Sequence, residues 1–181
     1  MLSAFLKRYT FRQKACLFLE EYIGFFVRYL PGYEGILMRR VLCRLTFKVF
    51  PRGALIWPNV YITHGFNISA GKLLAVNFGS HIDGRGGIHI GDHVLIGPNV
   101  FIGSSNHVIS PDINTPRITL GHVMKPVTIG NNVWIGANSV ICPGVRIGDN
   151  SVIAAGSIVI KDIPESVLAA GNPAGVLRAI S

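Results

Sequence analysis

Charge is scarce in this chain: only 14% of its 181 residues are Asp, Glu, Lys or Arg, against 49% apolar. That balance excludes a disordered, solvating role and calls for a packed interior. Cysteine is scarce as well. Cys16, Cys43 and Cys142 are odd in number, far apart and outside any metal-ligand spacing, which excludes a disulfide framework and suits reduced thiols in a cytoplasm. Long uncharged apolar runs are missing too. A membrane-spanning helix needs roughly 18 such residues, but Glu20, Glu21, Arg28 and Pro31 cut the N-terminal apolar stretches. Two acids inside the stretch and no small-residue cleavage site after it also speak against a secretory signal.

Acidic residues are the rarest class of charge, nine against 17 Lys and Arg, and the resulting +8 is unevenly placed. Residues 1–52 hold ten Lys or Arg against Glu20, Glu21 and Glu34, whereas residues 53–181 hold seven against six. A protein that reads nucleic acid carries its positive charge on the body that does the reading, and here that body is nearly neutral. No nucleic-acid partner is expected; an anionic membrane surface fits the basic segment better.

The basic segment reads as two helices. Phe11, Ala15, Phe18, Tyr22, Phe25 and Phe26 recur at helical spacing, and Pro31-Gly32 ends that run. In the second helix Arg40, Arg44 and Lys48 fall at i, i+4, i+8, opposite Leu37, Val41, Leu42 and Leu45. Two readings stand for residues 1–52: a helical cap over one end of the domain, or an amphipathic pair lying in the plane of a membrane, which would make a cytoplasmic protein peripheral on the inner face.

From about residue 60 a six-residue rhythm takes over. Ile129, Ile135, Ile141, Ile147, Ile153 and Val159 recur every six residues, with Gly130, Gly136, Gly148 and Ala154 after four of them. Ile90, Ile96 and Ile102 keep the same beat, and Ile62, Ile68 and Leu74 begin it. Four residues on stand Val133, Ser139, Val145, Ser151, Ser157 and Ile163. A period of six fits neither helix nor ordinary strand alternation, but suits a β-solenoid in which each hexad is one short strand and turn. Glycine after the aliphatic residue is read as permitting the tight corner. The phase slips between Leu74 and Ile90, around GRGG at 84–87, and again between Ile102 and Ile129. The second slip predicts an external loop over about residues 104–126, beginning near His107, and loops on a rigid wall are favoured places for function.

Residues 127–178, VTIGNNVWIGANSVICPGVRIGDNSVIAAGSIVIKDIPESVLAAGNPAGVLR, resemble the C-terminal half of the hexapeptide-repeat O-acetyltransferases, the group of the galactoside, maltose and exopolysaccharide acetyltransferases. LPGYEGILMRRVLCR, residues 30–44, resembles members from surface-polysaccharide assembly. The resemblance implies a left-handed parallel β-helix over 53–164, a cap with a short helix over 165–181, and a homotrimer with active sites between subunits. It also implies an acetyl group moved from acetyl-CoA to a sugar or polysaccharide hydroxyl, with no metal.

On that resemblance His107 is the catalytic base, since an unactivated hydroxyl is a poor nucleophile and an imidazole can take its proton as it attacks the thioester. Trp134, Gly136, Ala137 and Ala155 match positions beside the CoA arm, and Lys161 and Arg178 match basic residues that meet its phosphates. Asn77 and Asp83 resemble the residues that hold acceptor hydroxyls; Asp83 could equally bond the solenoid corner or orient His107. His122, at the far end of the loop, is the rival base. Cys142 has no histidine near it in sequence and reads as wall packing. His81, His89 and His93 raise a zinc carbonic anhydrase of the same solenoid, but no histidine pair has the H-x4-H spacing of that group. Two further functions stay open: N-acylation of an amino or nucleotide sugar, and a non-catalytic membrane-associated scaffold.

Overall fold

A computed structural model describes residues 9–180. Of the basic segment, Lys7 and Arg8 lie outside the described residues. Helix α1 (Phe11–Phe18) opens on a reciprocal cap: Thr10 Oγ1 accepts from Gln13 N–H at 3.3 Å, and Gln13 Oε1 accepts from Thr10 N–H at 2.9 Å. A π-helical segment (Leu19–Ile23) and α2 (Gly24–Arg28) continue it, and α3 (Gly32–Thr46) returns along the solenoid.

The two helices bury polar groups and present their aromatics outward. Cys16, Glu20, Gly24 and Val27 face inward, whereas Phe11, Phe25 and Phe26 are 88%, 56% and 70% exposed. In α3, Arg39 and Cys43 are buried while Leu37, Val41 and Leu45 are exposed. The Arg39 guanidinium donates from Nε to the Ile56 carbonyl at 2.8 Å and from Nη1 to those of Val27 and Leu30 at 3.1 and 2.7 Å. It thus caps the end of α2 and ties it to the first solenoid strand, a favourable place for a cation.

The solenoid has three parallel walls. Leu55, Ala75, Leu95, Trp134, Val152 and Leu168 stack along the first. Tyr61, His81, Phe101, Val140 and Ile158 form the second. Ser69, His89, Thr128 and Arg146 form the third. Inside, Ile82, Ile102, Ile129, Ile135, Ile141 and Ile153 are at most 2% exposed, each burial worth roughly 1.5–3 kcal/mol. The interior serines are satisfied: Ser151 Oγ donates to the Pro164 carbonyl at 2.7 Å and accepts from Val167 N–H at 3.3 Å, joining successive coils.

The structure corrects three expectations. The rhythm does not pass through Ile68 and Leu74: the position of Ile90 is filled one coil earlier by Ala70, and that of Ile96 by Val76. Ile68 and Leu74 are also buried, so hydrophobicity alone cannot tell the two series apart. The glycines after the aliphatic residues do not supply the left-handed corners. Asn59, Asn99, Asn132, Asn138 and Asn150 do so with φ of 53–58°, while a Cβ on Gly136 would sit 2.5 Å from the Ala155 nitrogen of the coil above. The C-terminal cap is not helical. Val167–Gly171 and Ala174–Ala179 pair as an antiparallel hairpin that extends the first wall, because Val167 and Ala169 alternate into the core with the period of a strand.

Candidate active site

Thr63, Asp83 and Gly103 are register partners at the end of the second wall, and all the extra chain of the solenoid leaves from that corner. The first wall rises by twenty residues from Leu55 to Ala75 and again to Leu95, but by eighteen from Trp134 to Val152. The first two excursions are a 3₁₀ turn at Gly65–Asn67, entered through His64 at φ 56°, and the GRGG stretch. The third is the external loop, whose base is a hairpin pairing Ser105–His107 with His122–Met124.

Under this corner lies a histidine that sequence reasoning did not single out. His64 is 4% exposed; its Nδ1 is 3.0 Å from Asp83 Oδ1 and its Nε2 is 3.2 Å from the Tyr9 hydroxyl. Asp83 also accepts from Thr63 Oγ1 and the Arg85 backbone N–H, both at 3.1 Å. Burial alone would raise its carboxyl, but the bonds from His64, Arg85 and Thr63 hold it down at about 2. Asp83 therefore bonds the solenoid corner, and the histidine it orients is His64 rather than His107. Glu20 reaches the same turn from the helix, accepting from the backbone N–H groups of His64 and Gly65 at 2.8 Å each. Burial outweighs those bonds and pushes its carboxyl up to about 7.

His107 stands above the corner, exposed, its backbone N–H donating to Asn106 Oδ1 at 2.9 Å. His122 is its cross-strand partner, with ring centroids 4.3 Å apart and planes inclined by 37°. Arg85 Nη1 is 3.0 Å from His122 Nε2; guanidinium only donates, so Nε2 is the acceptor and His122 is neutral in this arrangement. On its other side His107 lines a groove with Lys125, Cys142, Pro143 and Ile160. The fold thus brings Cys142 and His107 to one groove, yet burial raises the Cys142 thiol and disfavours the thiolate a nucleophile requires.

Two further grooves flank this one. On the first wall Trp134, Gly136, Ala137 and Ala155 gather as expected, and Asn77 joins them, its side-chain N–H donating to the Ile96 carbonyl at 3.0 Å. Arg178 lies at the end of that wall, in register with Leu168, which lines the groove. Lys161 follows the second wall, next to Ile160 of the His107 groove. Between the helix and the second wall is a third groove of about 760 Å³, lined by Phe18, Tyr22, His81, Asp83 and Arg85 among others. In one chain, then, Asn77 and Asp83 occupy different grooves, and the small-residue groove does not open onto His107. His81, His89 and His93 are divided between the second wall, the third wall and a turn at φ 60°, and no group of three His, Cys, Asp or Glu among the described residues is placed to hold a metal ion.

The family model described as bacterial transferase hexapeptide (six repeats) matches residues 126–161. The galactoside O-acetyltransferase of Escherichia coli (strain K12) is 44% identical over 144 residues, 79% of this chain and 69% of that protein. A relative from the same organism, named for acetyl transfer in colanic acid biosynthesis, is 31% identical over 140 residues, 77% of this chain and 74% of its own. Among solved structures, a galactoside acetyltransferase in complex with coenzyme A has a TM-score of 0.84 at 38% identity, covering 95% of this chain and 84% of that one. Three stacked excursions at one corner, a histidine pair on the largest of them and a small-residue groove on the adjoining wall are thus features of a chain that belongs to the hexapeptide-repeat acetyltransferase family.

Proposed function

We propose that the protein transfers the acetyl group of acetyl-CoA to a sugar hydroxyl, with His107 as the general base. The observation that carries this is the placing of His107, an exposed imidazole on a hairpin that lines a groove with Lys125 and Ile160, in a chain whose first wall bears a groove of small residues. His107 takes the hydroxyl proton as the oxygen attacks the thioester carbonyl; the C–S bond breaks, and the proton passes to the departing CoA sulfur. The CoA arm runs along Trp134, Gly136, Ala137 and Ala155, with Lys161 and Arg178 toward its phosphates, and the acceptor lies between Tyr22, Asp83 and Arg85. Because the small-residue groove and His107 are separated within one chain, a trimer that apposes one subunit's groove to its neighbour's hairpin completes the site. The direct test is release of CoA thiol from acetyl-CoA against neutral, acidic and amino sugars. Release with sugars that carry only hydroxyls supports the reading, and release confined to amino sugars would replace it with N-acylation.

The helix pair supports a place in surface-polysaccharide or lipid-linked glycan assembly. Its exposed Phe11, Phe25, Phe26, Val41 and Leu45 belong with Arg40, Arg44 and Lys48 to a segment of net charge +7, a combination suited to lying in an anionic interface. No described helix is long and apolar enough to cross a membrane. Held at the surface, the enzyme would meet a tethered acceptor at raised effective concentration. Co-sedimentation with vesicles containing anionic lipid, reversed by salt, tests this; intact protein that ignores such vesicles yet loses its trimer when Phe25 and Phe26 are replaced would assign the face to subunit contact.

A further inference from the structure

The third groove carries an electrostatic feature that the transfer reaction by itself does not need. Among the described residues two carboxylates line it, and both make hydrogen bonds: Asp83 through Oδ1 with His64, Thr63 and the Arg85 backbone, and Glu21 with the Tyr61 hydroxyl at 2.5 Å. The permanent cations among its described lining residues, Lys14 and Arg85, form no ion pair with any described residue. Arg85 donates to Asp83 through its backbone N–H, and its guanidinium forms no ion pair with that carboxylate. The guanidinium instead donates once, from Nη1 to His122, and its Nε is buried without a hydrogen-bond partner. His81, on the same lining, is kept toward its neutral form by burial. The His122 ring stands against both the guanidinium and the His107 ring.

We infer that the acceptor is an anionic glycan, one whose acetylated residue carries a carboxylate or phosphate that the Arg85 guanidinium binds, with Lys14 at the rim. This rests on the acetyl-transfer reading above and names its substrate class. An arginine that forms no ion pair among the described residues presents planar N–H donors matched to a carboxylate or phosphate, and anchoring the anion there would leave a neighbouring hydroxyl of the same sugar beside His107. A neutral glycoside would fill the groove and leave the guanidinium without an ion-pair partner. The discrimination expected is therefore of the kind shown by sites built around a polar group, where the analogue lacking it is rejected.

The test compares methyl glucuronide, glucose 1-phosphate and methyl glucoside, by equilibrium binding to the full chain and by CoA release from acetyl-CoA. At least one of the two anionic ligands should bind about tenfold or more tightly than methyl glucoside, and which one does so decides between carboxylate and phosphate. Arg85→Gln should bring that ratio close to one, added salt should erode it, and Lys14→Gln, at an exposed position where folding is not at stake, should reduce it by about threefold. Equal binding of all three, or a preference that survives Arg85→Gln, overturns the inference. CoA release with methyl glucoside and no anionic preference would leave the transfer reading standing without it. Anion-selective binding with no CoA release from any acceptor would sustain the inference about the groove and remove the transfer reading.

Discussion

His107 and His122 face each other across the two strands of the external hairpin, with ring centroids 4.3 Å apart. Only one of them is free to act as base toward a hydroxyl, since the Nε2 lone pair of His122 already accepts from Arg85. His107→Ala is therefore expected to lower kcat by roughly 10² to 10⁴ while leaving acetyl-CoA binding nearly unchanged. His122→Ala should cost far less, about tenfold or under. The reverse order in a CoA-release assay would transfer the role of base to His122.

Cys142 shares the groove of His107, so proximity alone would permit a covalent route. Burial raises its thiol above the ordinary range, which keeps it protonated and weakly nucleophilic. Cys142→Ser should retain most of the turnover. A folded but inactive variant that fails to show an acyl-enzyme by mass spectrometry, where the parent does, would establish the covalent path instead.

Charge reversal at Lys161 and Arg178 should raise the KM for acetyl-CoA more than it lowers kcat. Binding of phosphates far from the reacting carbon is nearly the same in ground and transition states. If KM stays at the parental value for both variants, the phosphates lie elsewhere.

Glu20 links the helix pair to the turn beneath the site, and its titration should be visible in stability. Its folded-state value of about 7 lies above the 4.5 of a free carboxyl, so the folded chain binds the extra proton in that window. The contribution is fully present below about pH 4.5 and is lost as pH rises toward 7, by at most about 1.4 kcal/mol per unit. Thermal unfolding from pH 4.5 to 8 should show this decline in the parent and a shallower one in Glu20→Gln. Identical slopes would mean that Glu20 does not change protonation on folding.

Gly136→Ala should destabilise by about 1–3 kcal/mol, because the added Cβ meets backbone atoms of the next coil, Ala155 N at 2.5 Å and Ile153 O at 2.8 Å. Gly175→Ala, where a Cβ meets nothing within 4 Å, is the control and should unfold at the parental temperature. Comparable behaviour of the two would mean that the coils separate more easily than their spacing suggests.

The amino-acid sequence by itself determined the solenoid, because a six-residue period is imposed by local strand and turn geometry and is written wherever Ile135, Ile141, Ile147 and Ile153 recur. It likewise determined the external loop, as a gap in that period, and marked His107 at its start. What it could not settle was which of two buried series keeps the beat in the first coils, since Ile68 and Ala70 both face inward and only cross-coil pairing tells them apart. The C-terminal hairpin was hidden for a related reason: a few alternating residues specify a strand only once a wall exists for them to join. His64, Arg85 and Glu20 were beyond reach altogether. They are separated by 21 to 65 residues in the chain and meet only because coil stacking brings Thr63, Asp83 and Gly103 to one corner and the helix folds back over it. Periodicity records what each residue does within its own coil; the bond between His64 and Asp83 joins two coils and exists only once they are stacked.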